Sequence, residues 1–195
     1  DYRRYIKNRR PMAGIYGRRY FEDSNSDVYY KGAWVLHTLR NQIGNDSVFF
    51  SLLRTFYSEN ALKLTDSKRF IATVNEVTGR DFQWFFDQYL YQRKVPVIEY
   101  YVSADDFLYY RWKDVSDPKA FNQFAVSVRN RKMGVEFKIV PDEKIQRIKL
   151  PEGFSQNGAI DDQAGLFGRQ RKKKLERMFF NYELQITNYK LQITN

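Results

Sequence analysis

The chain has no cysteine and a single histidine, His37, in 195 residues. The first absence excludes disulfides and cysteine-ligated zinc. The second excludes a self-contained catalytic zinc helix, because the H-E-x-x-H pattern needs two histidines one turn apart and a more distant glutamate. Without that motif the chain also lacks the glutamate that serves as its general base. No apolar run approaches the ~20 residues of a membrane helix. Asp1 stands where an initiator methionine would, so a missing amino-terminal part is the expectation.

Aromatic residues are abundant. Fifteen Tyr and 16 Phe, with 43% hydrophobic residues overall, describe a folded protein whose buried area is dominated by rings. The net charge of +10 is local. Residues 1–20 carry seven Lys/Arg against one Asp, residues 169–177 six against one Glu, and the rest is nearly neutral. A nucleic-acid binder carries its basic stripe on the fold itself. The run 169–177 therefore reads as a solvated tail, and nucleic acid is not an expected partner. The competing reading is a basic nucleic-acid-binding module, which predicts affinity that falls steeply with salt.

Along the chain, residues 1–26 form a basic, aromatic lead-in broken by Pro11, Gly14 and Gly17. Four amphipathic helices are expected over Val28–Ile43, Ser47–Ser58, Asp66–Val77 and Phe82–Tyr91, from apolar residues at helical spacing. Asp27, Asp46, Thr65 and Asp81 are their expected caps, and Gly44 and Gly79 the stops of the first and third. After Pro96 the pattern changes to period two. Strands are expected over Val97–Ser103, Leu108–Lys113, Phe121–Arg129, Val135–Val140 and Lys144–Leu150. The fold class is thus mixed, α then β, with a helical part over 1–95, a small antiparallel β-sandwich over 96–152, and a basic tail over 153–195 without regular structure. Asn181–Thr187 recurs almost unchanged as Asn188–Thr194. Alternating apolar residues in each copy and an odd repeat length exclude a continuous sheet face, and the unit resembles translated intergenic repeat DNA.

Several landmarks, in order, carry a resemblance over about three quarters of the chain. They are Arg10-Pro11-Met12 with Tyr16-Gly17, Asp27-Val28-Tyr29-Tyr30-Lys31-Gly32 followed by Val35 to Arg40, Val77-Thr78-Gly79, Trp84 to Tyr91, and Val95-Pro96-Val97. The chain resembles the end of the catalytic domain of gluzincin aminopeptidases (peptidase family M-one, relatives of aminopeptidase N and leukotriene-A4 hydrolase), bacterial exported members above all. The resemblance implies the helical part of a thermolysin-like catalytic domain followed by a small β domain. It implies that Tyr29, in the Tyr-x-Lys-Gly segment, hydrogen-bonds the oxyanion of the scissile carbonyl, with Tyr30 in that role if the register differs by one. Tyr16 and Tyr30 are candidates for lining the peptide cleft. Zinc belongs to the parent enzyme and is not bound by this chain, which supplies no metal ligand and is expected to be inactive alone. The implied partners are a peptide substrate and the amino-terminal part of the same protein, and the implied location is the periplasm or cell envelope. From the residues alone, Tyr29 reads first as a first-turn ring packed on the core, and His37 is structural. The main alternative is a non-catalytic peptide-binding or scaffold relative on the same fold.

Overall fold

The computed structural model describes residues 2–13, 26–154 and 159–193. The protein is a mixed α and β structure. It divides into two compact units, one of residues 1–95 with 163–166, the other of residues 96–162 with 167–195.

The first unit is helical. After a 3-10 turn over Tyr2–Tyr5 come α1 (Asp27–Ile43), α2 (Asp46–Asn60), α3 (Ser67–Thr78) and α4 (Gln83–Tyr89). Val35 and Leu39, one turn apart, bury the inner face of α1. The helix stops at Gly44, which takes φ +72° and donates its N–H to Arg40 O at 3.0 Å. Gly79 ends α3 in the same way at φ +63°. The expected caps are corrected by one residue. Asn45 rather than Asp46 caps α2, accepting from Val48 N at 3.2 Å, and Asp66 rather than Thr65 caps α3, accepting from Arg69 N at 2.9 Å. Asp46 instead forms an exposed two-point ion pair with Arg40 at 2.6–2.7 Å. At α4, Asp81 accepts from Gln83 N at 2.8 Å while Phe82 occupies the cap position. Rings join the helices edge to face: Phe56 of α2 lies 5.0 Å from Phe70 of α3, and Phe70 lies 5.9 Å from Phe86 of α4. Phe82, Phe85, Phe86 and Tyr89 are all buried.

Gly32 lies inside α1, and among the described residues a Cβ there would meet Met12 Cε at 3.5 Å, an ordinary contact that does not require the glycine. Gly32→Ala is expected to stabilise the protein by about 0.5–1 kcal/mol through lower backbone entropy in the unfolded chain. A rise in the urea midpoint at unchanged m-value checks this.

The second unit begins with β1 (Val97–Val102) and β2 (Phe107–Lys113), paired antiparallel with Ile98 opposite Trp112 and Tyr100 opposite Tyr110. Asp106, at φ +58°, turns the hairpin. Next come a helical turn α5 (Pro118–Phe121), β3 (Val126–Asn130), β4 (Val135–Ile139), β5 (Gln146–Lys149), β6 (Ala159–Ile160), β7 (Gly168–Arg171) and α6 (Lys174–Ile193). One sheet has the order β5-β2-β1-β7, the other β4-β3-β6. The strand expected over Phe121–Arg129 begins only at Val126. Asp117 accepts from Lys119 N and Ala120 N with Pro118 behind it, and this cap-proline pair makes a helical turn of the preceding residues.

The antiparallel sandwich is corrected too. β7 runs parallel to β1, so the larger sheet is mixed. Both faces of the β1–β2 hairpin are buried. On one face Trp112 meets Phe121, Phe124 and Phe167 at 5.4–5.7 Å. The other face carries Tyr109, which clusters with Leu175 and Phe179 of α6. Glu99 on that face is buried and paired with its cross-strand partner Arg111 at 2.7 Å.

The segment from 153 on was expected to lack regular structure and instead holds β6, β7 and α6. Leu175 and Phe179, one turn apart, anchor α6, and Arg147 of β5 sits 4.9 Å from the Phe179 ring and 5.1 Å from Phe107. The repeat continues this helix to Ile193. Its Glu, Leu, Gln and Lys residues are good helix formers, and that preference prevails over its alternating pattern. Phe179→Ala is expected to cost about 3 kcal/mol, read from denaturant unfolding, because it opens a cavity beside Tyr109. A tail without structure would show no loss.

Candidate functional site

The site begins with two buried charged residues one turn apart, Asp27 and Lys31. The first turn of α1 has no capping side chain at Ser26. Asp27, expected to be the cap, is fully buried and turned away, accepting from Lys7 N at 2.6 Å and Asn8 N at 2.7 Å. The lead-in is thereby tied to the helix. One turn on, the Lys31 side chain is also fully buried, and its ammonium donates to Gln92 O at 3.2 Å and Arg93 O at 3.3 Å, in the segment leaving α4. Burial holds the Lys31 ammonium below its ordinary pKa, partly offset by the Asp27 charge. The two residues, on one face of α1, tie it to the lead-in and to the segment leaving α4, a role that composition and spacing do not announce.

This bracing leaves Tyr29 and Tyr30 on the outer surface of α1. Tyr29 is 59% exposed, so it is not a ring packed on the core. Tyr30 is half-buried and stacks on Tyr5 at 5.0 Å and Tyr2 at 6.0 Å. Both line an open groove of about 680 Å³ with Tyr2, Ala33, Trp34, His37 and Gln163. Tyr16, the other expected cleft residue, lies outside the described residues.

His37 closes one end. Its Nε2 is 2.8 Å from Gln163 O. A carbonyl only accepts, so Nε2 carries the hydrogen and donates. Asn41 accordingly spends its amide on His37 O at 2.9 Å. Trp34 meets the His37 ring edge-on at 5.2 Å. Gln163 belongs to a strap, residues 163–166, that is fastened twice more. Leu166 N donates to Thr38 Oγ1 at 2.8 Å, and the fully buried Tyr89 hydroxyl donates to Leu166 O at 2.7 Å. His37 thus fastens the strap to α1. Among the described residues, no three His, Cys, Asp or Glu side chains are grouped to hold a metal ion. The sequence offered no signal for Gln163, since a backbone carbonyl makes the contact and the residue lies far along the chain.

No helix among the described residues is long and apolar enough to cross a membrane. No family model matches the chain, and no curated protein matches it. Among solved structures it is similar to aminopeptidase A of Legionella pneumophila, crystallised in complex with aspartic acid, at 16% identity and a TM-score of 0.46 over 71% of this chain. The chain spans 15% of the length of that aminopeptidase.

Proposed function

We propose that this chain is the carboxy-terminal portion of a zinc aminopeptidase that removes residues from the amino end of peptides, and that Tyr29 is its contribution to the chemistry. In this reading the helical unit is the end of a thermolysin-like catalytic domain, and the β unit is the small domain that follows. The observation that carries the reading is the placement of Tyr29: an exposed phenol in the first turn of α1, at an aromatic groove, on a helix braced by Asp27 and Lys31. The ordered landmarks from Arg10 to Val97 supply the reaction class.

A donor for a developing oxyanion must be rigidly placed, neutral, and able to aim its hydrogen into a site shielded from water. A phenol on a braced helix meets the first two conditions; the groove is open in this chain, so in this reading the shielding falls to the amino-terminal part of the enzyme. Among the described residues no three His, Cys, Asp or Glu side chains are grouped to fit a zinc ion. In this reading the zinc ligands come from an amino-terminal part of the same protein, and export to the periplasm or envelope accompanies the proposal.

The test is the reading frame preceding the codon for Asp1. An in-frame H-E-x-x-H with a following glutamate supports the peptidase. An open frame without those ligands makes this a non-catalytic, peptide-binding relative and returns Tyr29 to a surface role.

A further inference from the structure

The outer face of α6 sets exposed apolar side chains beside exposed cations. Leu175 and Phe179 hold the inner face of the helix against Tyr109. Arg177, Phe180 and Leu184, three and four residues apart, share the other side, and Lys173 and Lys174 stand one turn before Arg177. Phe180 is 46% exposed and Leu184 61%. Lys173, Lys174 and Arg177 are exposed too, and among the described residues none of the three makes an ion pair. The acids Glu176 and Glu183, seven residues apart, lie together on a flank of the helix, where the Glu176 charge reaches the Tyr109 hydroxyl.

The sheet supports only the start of the helix. Tyr182, one turn past Phe179 on the inner side, is already exposed. A helix that leaves its sheet this early can lie along a flat surface. Charge and apolarity together narrow what that surface is. A nucleic acid would pair its phosphates with the cations but leave Leu184, which has no ring to stack on a base, in water. An anionic lipid surface uses both kinds of group. Its headgroup phosphates meet the lysine and arginine heads, and its acyl boundary takes up apolar side chains and the long cationic stems.

We propose that α6 docks the protein on an anionic lipid surface, with Lys173, Lys174 and Arg177 pairing headgroup phosphates and Phe180 and Leu184 entering the interface. The helix lies on the surface and does not cross it. The inference stands apart from the peptidase reading, since it uses no residue of the groove beside Tyr29.

The test uses the full chain in co-sedimentation with vesicles of phosphatidylcholine alone and of phosphatidylcholine mixed with phosphatidylglycerol. Binding to the mixed vesicles is expected, and binding at least about tenfold weaker to phosphatidylcholine alone. Each cation near an anionic surface is worth about fivefold, so Lys173→Gln, Lys174→Gln and Arg177→Gln together should weaken binding by roughly a hundredfold. Leu184→Ser should weaken it about fivefold through lost apolar contact and leave affinity for a single-stranded oligonucleotide unchanged. All four side chains are exposed, and circular dichroism verifies that each variant is folded. The chain has no cysteine, so Leu184→Cys offers a single site for an environment-sensitive fluorophore. Its emission is expected to shift to the blue with mixed vesicles and to stay unchanged with the oligonucleotide. Equal sedimentation with both vesicle types, an unshifted emission, or mixed-vesicle binding unmoved by Leu184→Ser overturns the proposal. Tighter binding to the oligonucleotide than to mixed vesicles at the same salt overturns it in favour of a nucleic-acid role.

Discussion

Tyr29→Phe is expected, on the peptidase proposal, to lower kcat of the complete enzyme by about 10²–10³-fold, the usual loss when one oxyanion donor is removed. The ring that lines the groove stays in place, and only the O–H is deleted. Because the oxyanion exists in the transition state and not in the bound substrate, KM should change little while kcat and kcat/KM fall together. Steady-state kinetics on an aminoacyl anilide substrate reads this directly. A fall in KM alone, or turnover within a factor of about three of wild type, is too small for a lost oxyanion donor and would move the role elsewhere. Tyr30 is then the first alternative, although its stacking between Tyr2 and Tyr5 makes it the more constrained of the two phenols.

Asp27→Ala is expected to destabilise the protein by about 3–5 kcal/mol, the cost of leaving a buried charge without its partner. The substitution orphans two backbone N–H groups, at Lys7 and Asn8, and strips the buried Lys31 ammonium of its counter-charge. Urea unfolding monitored by circular dichroism measures it. The pH dependence gives an independent check. Burial outweighs Asp27 at Lys31, so the folded protein holds that proton less tightly than the unfolded chain does. The unfolded chain therefore binds more protons in the window below the ordinary lysine pKa of 10.5, and this group makes stability rise with pH there. In Lys31→Met that rise should be missing, and the difference between the two pH profiles isolates the one residue. A Lys31→Met profile identical to wild type would show that the ammonium is not buried in solution.

The helices of the first unit were legible because their residues say one thing at several levels. In α1, Val35 and Leu39 repeat at helical spacing, and Gly44 supplies a left-handed stop at the position where the apolar pattern ends. The β1–β2 hairpin was legible for a similar reason, with rings alternating on either side of Asp105-Asp106. What was not legible depends on partners distant in sequence. β7 is a short, basic edge strand, Gly168-Arg169-Gln170-Arg171, and it joins β1 through backbone hydrogen bonds without an alternating apolar pattern. α6 is anchored by two residues, Leu175 and Phe179, set within a charge run whose composition suggests a solvated tail. Lys31 offers the reverse lesson. A lysine is almost always at the surface, and only the carbonyls of Gln92 and Arg93, some sixty residues away, make its burial tolerable. Tyr29 was named as a candidate from its neighbours in sequence, whereas the groove around it required Tyr2 and Gln163, which no local pattern connects.

The strap over 163–166 has a consequence for synthesis. Residues 1–95 leave the ribosome as a nearly complete set of helices, yet the acceptor for the Tyr89 hydroxyl and the donor for Thr38 Oγ1 are both supplied by Leu166. At ordinary elongation rates, the roughly seventy residues in between take about 4–14 s to make. During that interval the helical unit waits with the Tyr89 hydroxyl lacking its acceptor, the Thr38 hydroxyl bonded to Trp34 O alone, and one end of its groove open. Nascent chains stalled just before and just after residue 166 should therefore differ sharply in resistance to protease within the first ninety-five residues.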